Sequence, residues 1–196
     1  MSATGDDLAA IPLPFPPMGS ASNVESVVDE SSVTGWPSDW SALATMAEQP
    51  FAELCTLHQA IDESVDPVIA ELCRLRIAKL VGSLSHQRLR RTKATTAGLS
   101  EEKIASLADW PTSPLFSAAE RACLALAEQF CFGAFTVSDA DVSAVLVHLS
   151  VDECYALVNG LWVFEAMQRM SIVMGVDPDP AALGLHPETT SIDHKE

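Results

Sequence analysis

Helix-start signals recur through the middle of this chain, and each is followed by apolar residues three and four positions apart. Asp66-Pro67 sets an N-cap ahead of a proline at the first helical position, with Val68, Ile69, Leu72, Cys73, Ile77 and Leu80 keeping the repeat behind it. Ser117-Ala118-Ala119-Glu120 has capping-box spacing, in which serine accepts from a first-turn N–H and glutamate reaches back to the cap. Ala122, Cys123, Leu126, Ala127 and Phe130 then line one face. Ser100 caps a segment opening on Glu101-Glu102-Lys103, and a short helix runs from Asp139 to about Leu146. Ser150 starts the longest helix, which continues through Tyr155, Leu157, Leu161, Phe164 and Met170 to Gly175. Upstream, Ser38-Asp39-Trp40 opens a short helix, and another spans about Phe51 to Ile61 beyond a break at Gln49-Pro50. Alternating β-branched runs are too short to compete, so the pattern predicts an all-α bundle.

With 196 residues, 48% of them hydrophobic, the chain can bury one sizeable core. The expected organisation is an extended or disordered N-terminal arm over residues 1–34, one helical domain over 35–176 and a C-terminal tail over 177–196. The arm contains Pro12-Leu13-Pro14-Phe15-Pro16-Pro17, apolar enough to lie across a neighbouring surface. A formal net charge of -16 repels phosphate backbones and argues against nucleic acid as a partner. Basic residues cluster between Arg74 and Lys103, which suits either ion pairs on a helical face or attraction of a small anion. Cys55, Cys73, Cys123, Cys131 and Cys154 are far apart and form no Cys-x-x-Cys, so they read as small hydrophobes in a reducing cytoplasm. No apolar run reaches membrane-spanning length, and no basic leader precedes the arm, so a soluble protein away from membranes is expected. No phosphate loop or dinucleotide fingerprint appears, and His58, His86, His148, His186 and His194 lack ligand spacing; no cofactor and no metal are expected.

Val81-Gly82-Ser83 interrupts the helix that begins at Pro67. Glycine disfavours continuation, and Ser83 is a suitable cap for a second helix running through His86, Leu89, Arg90 and Ala94 to Gly98. On such a helix Ser83, His86 and Arg90 share a face, and His86 is placed to move a proton beside an arginine-held oxyanion. Glu71 lies between Ala70 and Leu72 on an apolar turn, where a buried carboxylate requires a partner from among Arg74, His86 and Arg90.

Leu72 to Ser100, Asp109-Trp110-x-x-Ser113-Pro114-Leu115-Phe116-x-x-x-Glu120-Arg121-Ala122, Val137-Ser138-Asp139 and the closing Trp-x-Phe-Glu-Ala-Met-x-Arg helix together resemble the carboxymuconolactone decarboxylase and alkylhydroperoxidase D-like superfamily. The resemblance covers roughly Trp36 to Pro178 and implies an alkylhydroperoxidase D-like helical bundle that assembles as a homo-oligomer. Its thiol-dependent branch carries Gly-Cys-x-x-Cys-x-x-x-His with a glutamate twelve residues ahead. In the register set by Gly82 and by Ala97-Gly98-Leu99-Ser100, Ser83 and His86 replace the two cysteines, Arg90 replaces the histidine and Glu71 keeps the glutamate. A serine hydroxyl cannot climb the thiol oxidation ladder, so peroxide reduction by this route is lost.

The resemblance leaves a non-redox reading, a lyase or isomerase acting on a small acidic metabolite. Glu71, His86 and Arg90 are then the candidate acid, base and cationic clamp, with Ser83, Arg74, Trp162 and Glu165 as substrate-binding residues. The alternatives are a non-catalytic small-molecule-binding or structural oligomer, or an antioxidant protein in name alone. A small anionic or hydrophobic metabolite is the expected small-molecule partner. An enzyme requires Glu71, His86 and Arg90 to converge on a cavity, whereas a structural protein buries Glu71 against an arginine and fills the space around His86.

Overall fold

The computed structural model describes residues 39–188, so the arm expected over residues 1–34 lies outside the described residues. Nine α-helices occur among them. The first three are α1 (Trp40–Met46), α2 (Glu48–Ser64) and α3 (Pro67–Val81), followed by α4 (Leu84–Gln87), α5 (Thr92–Thr96) and α6 (Glu101–Ala105). The last three are α7 (Ala118–Phe132), α8 (Asp139–Leu146) and α9 (Val151–Met174). Strand β1 (Leu89–Arg91) pairs antiparallel with β2 (Leu185–Pro187), Arg90 lying opposite His186. The all-α expectation holds, with this short ladder as an addition.

Local chemistry places the helix ends. Asp66 accepts from the backbone N–H groups of Val68 and Ile69 at 2.8 and 3.1 Å, ahead of Pro67. Ser117 with Glu120 and Ser150 with Glu153 form complete capping boxes. Gly82 at φ 78° and Gly175 at φ 65° end α3 and α9 in the left-handed conformation that a side chain resists. The break expected at Pro50 is absent. Pro50 falls in the first turn of α2, where its missing N–H is not needed, so the helix starts at Glu48.

Helix α3 is the central element and packs against α7 and α9, with Leu72, Cys73, Leu75 and Ile77 almost wholly buried. Gly160 allows α9 to approach α2 closely, since a Cβ there would stand 2.7 Å from Ile61 Cδ1. A smaller apolar cluster joins Trp40, Leu43, Cys55, Leu89, Val163, Met167, Leu183 and Leu185. The last two residues belong to the segment expected as a tail. Through Glu188 that segment packs on the domain, because β1 supplies hydrogen-bond partners to β2 and Leu183 and Leu185 have apolar neighbours.

Candidate functional site

The helix expected from Ser83 to Gly98 is instead α4, β1 and α5. The cause is Arg74, which projects from α3 and donates from Nη1 to the His86 carbonyl at 3.0 Å and from Nη2 to the Leu89 carbonyl at 2.6 Å. Glu71 Oε1 meanwhile accepts from the Arg91 backbone N–H at 3.1 Å. These backbone groups bond to α3 side chains rather than along a helix, and the chain extends through Leu89–Arg91. His86 and Arg90 therefore do not share a helix face. Ser83 occupies the cap position of α4 without a side-chain cap bond, and its Oγ is buried with no hydrogen-bond partner in the protein.

Glu71 and Arg74 are both wholly buried and form a two-pronged pair, Arg74 Nε to Oε2 at 2.7 Å and Nη2 to Oε1 at 2.8 Å. Arg91, also wholly buried, stands 3.9 Å from Glu71 Oε2, pairs with Asp62, and donates to the His58 carbonyl. Its guanidinium lies over the Phe164 ring at 5.0 Å, and His58 and Phe164 pack in a T-shaped contact at 5.2 Å. Two carboxylates thus meet two guanidiniums inside the domain, and the cluster is electroneutral without a ligand. Burial, with Arg91 and Arg74 nearby, holds His58 well below the ordinary imidazole range.

His86 is fully buried beside this cluster. Burial first, and then the Arg74 charge, pull it down to about 3, so it is neutral at physiological pH. Its Nε2 lies 3.1 Å from Ser171 Oγ on α9, while Nδ1 has no protein partner. The geometry brings a serine to a histidine but does not activate it, because the imidazole is a weak base and no acceptor orients its second nitrogen. Gln168, one turn before Ser171, donates to the Arg74 carbonyl at 3.0 Å.

Arg90 points elsewhere. It binds Glu101 through Nε and Nη2 at 2.8 and 2.9 Å, and Nη2 also reaches Glu188 at 2.9 Å, joining α6 to the end of the described chain. Trp162 is 54% exposed and does not face His86. Glu165 is mostly buried beside Cys131 of α7 and takes the exposed Arg169, one turn further along α9, at 2.7 Å. The inward row of α9 is Leu157, Leu161, Phe164, Gln168 and Ser171. Of the seven candidate residues, the structure gathers Glu71, Arg74, Ser83 and His86 in the interior, and leaves Arg90, Trp162 and Glu165 outside that group.

The sequence marks Gln168 as a polar break in the apolar ladder of the last helix without a place in the site, and it gives Arg91, Asp62, His58 and Ser171 no site role. Two signals were available: Gln168 and Ser171 continue the inward three- and four-residue spacing from Phe164, where an apolar residue is otherwise expected. Nothing in the sequence separates Arg91 from Arg90, because their different directions follow from the extended β1.

Among the described residues no group of three or more His, Cys, Asp or Glu side chains is placed to hold a metal ion, and no helix is long and apolar enough to cross a membrane. All five cysteines are unpaired, and burial raises each thiol, Cys131 to about 11 and Cys123 to about 12.

Residues 47–129 match the model of the carboxymuconolactone decarboxylase family. A crystal structure of a protein of unknown function from Agrobacterium tumefaciens, proposed as an antioxidant defence protein AhpD, superposes with a TM-score of 0.59 at 19% identity. The match covers 68% of this chain and 92% of that one, and at this identity it speaks for the fold. No curated protein matches the sequence.

Proposed function

Because residues 47–129 match the carboxymuconolactone decarboxylase family model, the fold is similar to that of an AhpD-like protein and the chain carries no Cys-x-x-Cys pair, we propose that it is a non-catalytic, structural homo-oligomer of that superfamily whose inherited site has become a sealed ionic core. The observation that carries this reading is the electroneutral pairing of Glu71 and Asp62 with Arg74 and Arg91, three of the four wholly buried. Arg74 makes four hydrogen bonds within the protein and Arg90 holds two carboxylates, which leaves neither guanidinium to clamp an anionic metabolite. A lyase or isomerase needs a group that exchanges protons near neutrality, and a histidine at about 3 is poorly matched to that work. The unpaired cysteines support a reducing compartment such as the cytoplasm.

The test is steady-state turnover, with hydrogen peroxide plus a dithiol in one arm and carboxylated muconolactones in the other. Wild type and His86→Gln should be indistinguishable from the no-enzyme rate, and the folded protein should react with a thiol reagent far more slowly than the denatured chain. Saturable turnover lost in His86→Gln, with the fold retained, would overturn the reading.

A further inference from the structure

Helix α9 carries large apolar side chains on its outer face as well as its inner one, interspersed with a few polar residues, instead of the single apolar stripe of a surface helix. Helices α2 and α3 cover one side, with smaller contacts from α7 and α8. The other presents Val151, Tyr155, Val158, Trp162, Arg169 and Ile172, which together with the mostly buried Glu165 follow alternating steps of four and three residues. That is the 3.5-residue repeat of a helix–helix seam. Val151, Tyr155 and the adjoining Val173 are each more than 70% exposed. Scattered apolar surface residues need no explanation, but Val151, Tyr155, Val158 and Trp162 follow one another along three turns of α9, and Ile172 and Val173 extend the exposed apolar surface at its end.

We infer that this seam is the self-association surface, with α9 of a second copy lying antiparallel on it about a two-fold axis beside Trp162. The inference rests on the reading of the chain as a homo-oligomer and names the surface. Three observations select a second copy as the occupant. First, the repeat fits a helix of matching length, and among the described residues the 24-residue α9 is the longest, so it complements itself. Trp162 is the midpoint between Val151 and Val173, so an axis there lays the whole apolar row on its own copy. Second, the seam is neutral in a chain of net charge -16: its two charged side chains, Glu165 and Arg169, pair with each other at 2.7 Å. Two acidic molecules meet with least repulsion there.

Third, the register has a charge match. Tyr155 and Arg169 are each seven residues from Trp162, so the axis brings Arg169 of the second copy over Tyr155. Tyr155 borders a groove of about 650 Å³ between α2 and α9, lined by Leu57, Ala60 and Ile61 and edged by Asp152 and Glu153. The incoming guanidinium, still paired with Glu165 of its own copy, therefore meets the aromatic face of Tyr155 beside the acidic edge of the groove.

Sedimentation velocity on the full chain tests this. Wild type should run as twice the 20.9 kDa monomer or an even multiple of it, and Trp162→Glu should at least halve that mass. Loss of a central tryptophan is expected to raise the dimer dissociation constant about a hundredfold or more. Trp162 is exposed in the single chain, so far-UV circular dichroism should be unchanged, and Leu84→Glu, an exposed change off the seam, should leave the mass alone. As a second readout, Trp162→Cys should cross-link to itself with a short bis-maleimide where Leu84→Cys does not. A monomeric wild type, or an oligomer whose mass survives both Trp162→Glu and Tyr155→Glu, would refute the seam and leave the sealed ionic core standing. Enzymatic turnover would do the reverse.

Discussion

Glu71→Gln tests the central claim because it changes one oxygen to nitrogen at nearly constant volume. In the wild type the carboxylate accepts two bonds from Arg74 and one from the Arg91 backbone N–H, with the Arg91 side chain at 3.9 Å. The amide keeps one acceptor oxygen and turns an NH₂ toward a guanidinium, donor against donor. The buried cluster also loses its neutrality, since Arg74 and Arg91 then face Asp62 alone. Removing one partner of a buried pair costs about 3–5 kcal/mol. For a domain of this size that is a fall in melting temperature of roughly 6–20 °C. Urea unfolding followed by circular dichroism, at unchanged m-value, measures it. Glu101→Gln is the matched control: its carboxylate also binds an arginine but is half exposed, so the loss should stay near or below about 1 kcal/mol. If Glu71→Gln costs no more than that control, the ionic core does not hold α3 to β1 and the argument built on it fails.

Two further expectations come from the same interior. His86 binds its proton near pH 6.5 when unfolded and only at about 3 when folded, so the unfolded state takes up protons first as the pH falls. The His86 contribution is complete above about pH 7 and is lost from 6.5 downward, reaching roughly 2 kcal/mol at pH 5. His58 acts in the same direction. Urea midpoints at pH 8 and pH 5 should therefore differ less in His86→Gln than in wild type; equal differences would refute a neutral buried His86. Neighbouring arginines should also separate sharply. Arg91→Met strands Asp62 and removes the cation over Phe164, costing about 3–5 kcal/mol, whereas Arg90→Met frees two part-exposed carboxylates and costs about 1–2 kcal/mol. Similar midpoints for the two variants would contradict their assigned surroundings.

The sequence by itself determined where α3, α7 and α9 begin and where α3 and α9 end. Asp66, Ser117 and Ser150 satisfy orphan N–H groups within a few residues of themselves, and Gly82 and Gly175 take a backbone conformation that depends on nothing distant. It also marked Glu71 as a carboxylate needing a partner on an apolar turn, because the cost of an unpaired buried charge is local chemistry. It did not determine the stretch after Ser83. There the periodicity spells a helix, but Arg74 captures the carbonyls of His86 and Leu89, Glu71 takes the Arg91 N–H, and β2 arrives from almost a hundred residues downstream. Whether a backbone group bonds to its own helix or to a buried side chain is a competition whose second party is visible only once the chain is packed. The same competition turns Arg91 inward and Arg90 outward. On α9, Leu161 and Trp162 are both large and apolar in the sequence, and the packing of neighbouring helices, chiefly α2 and α3, decides that Leu161 is core and Trp162 surface.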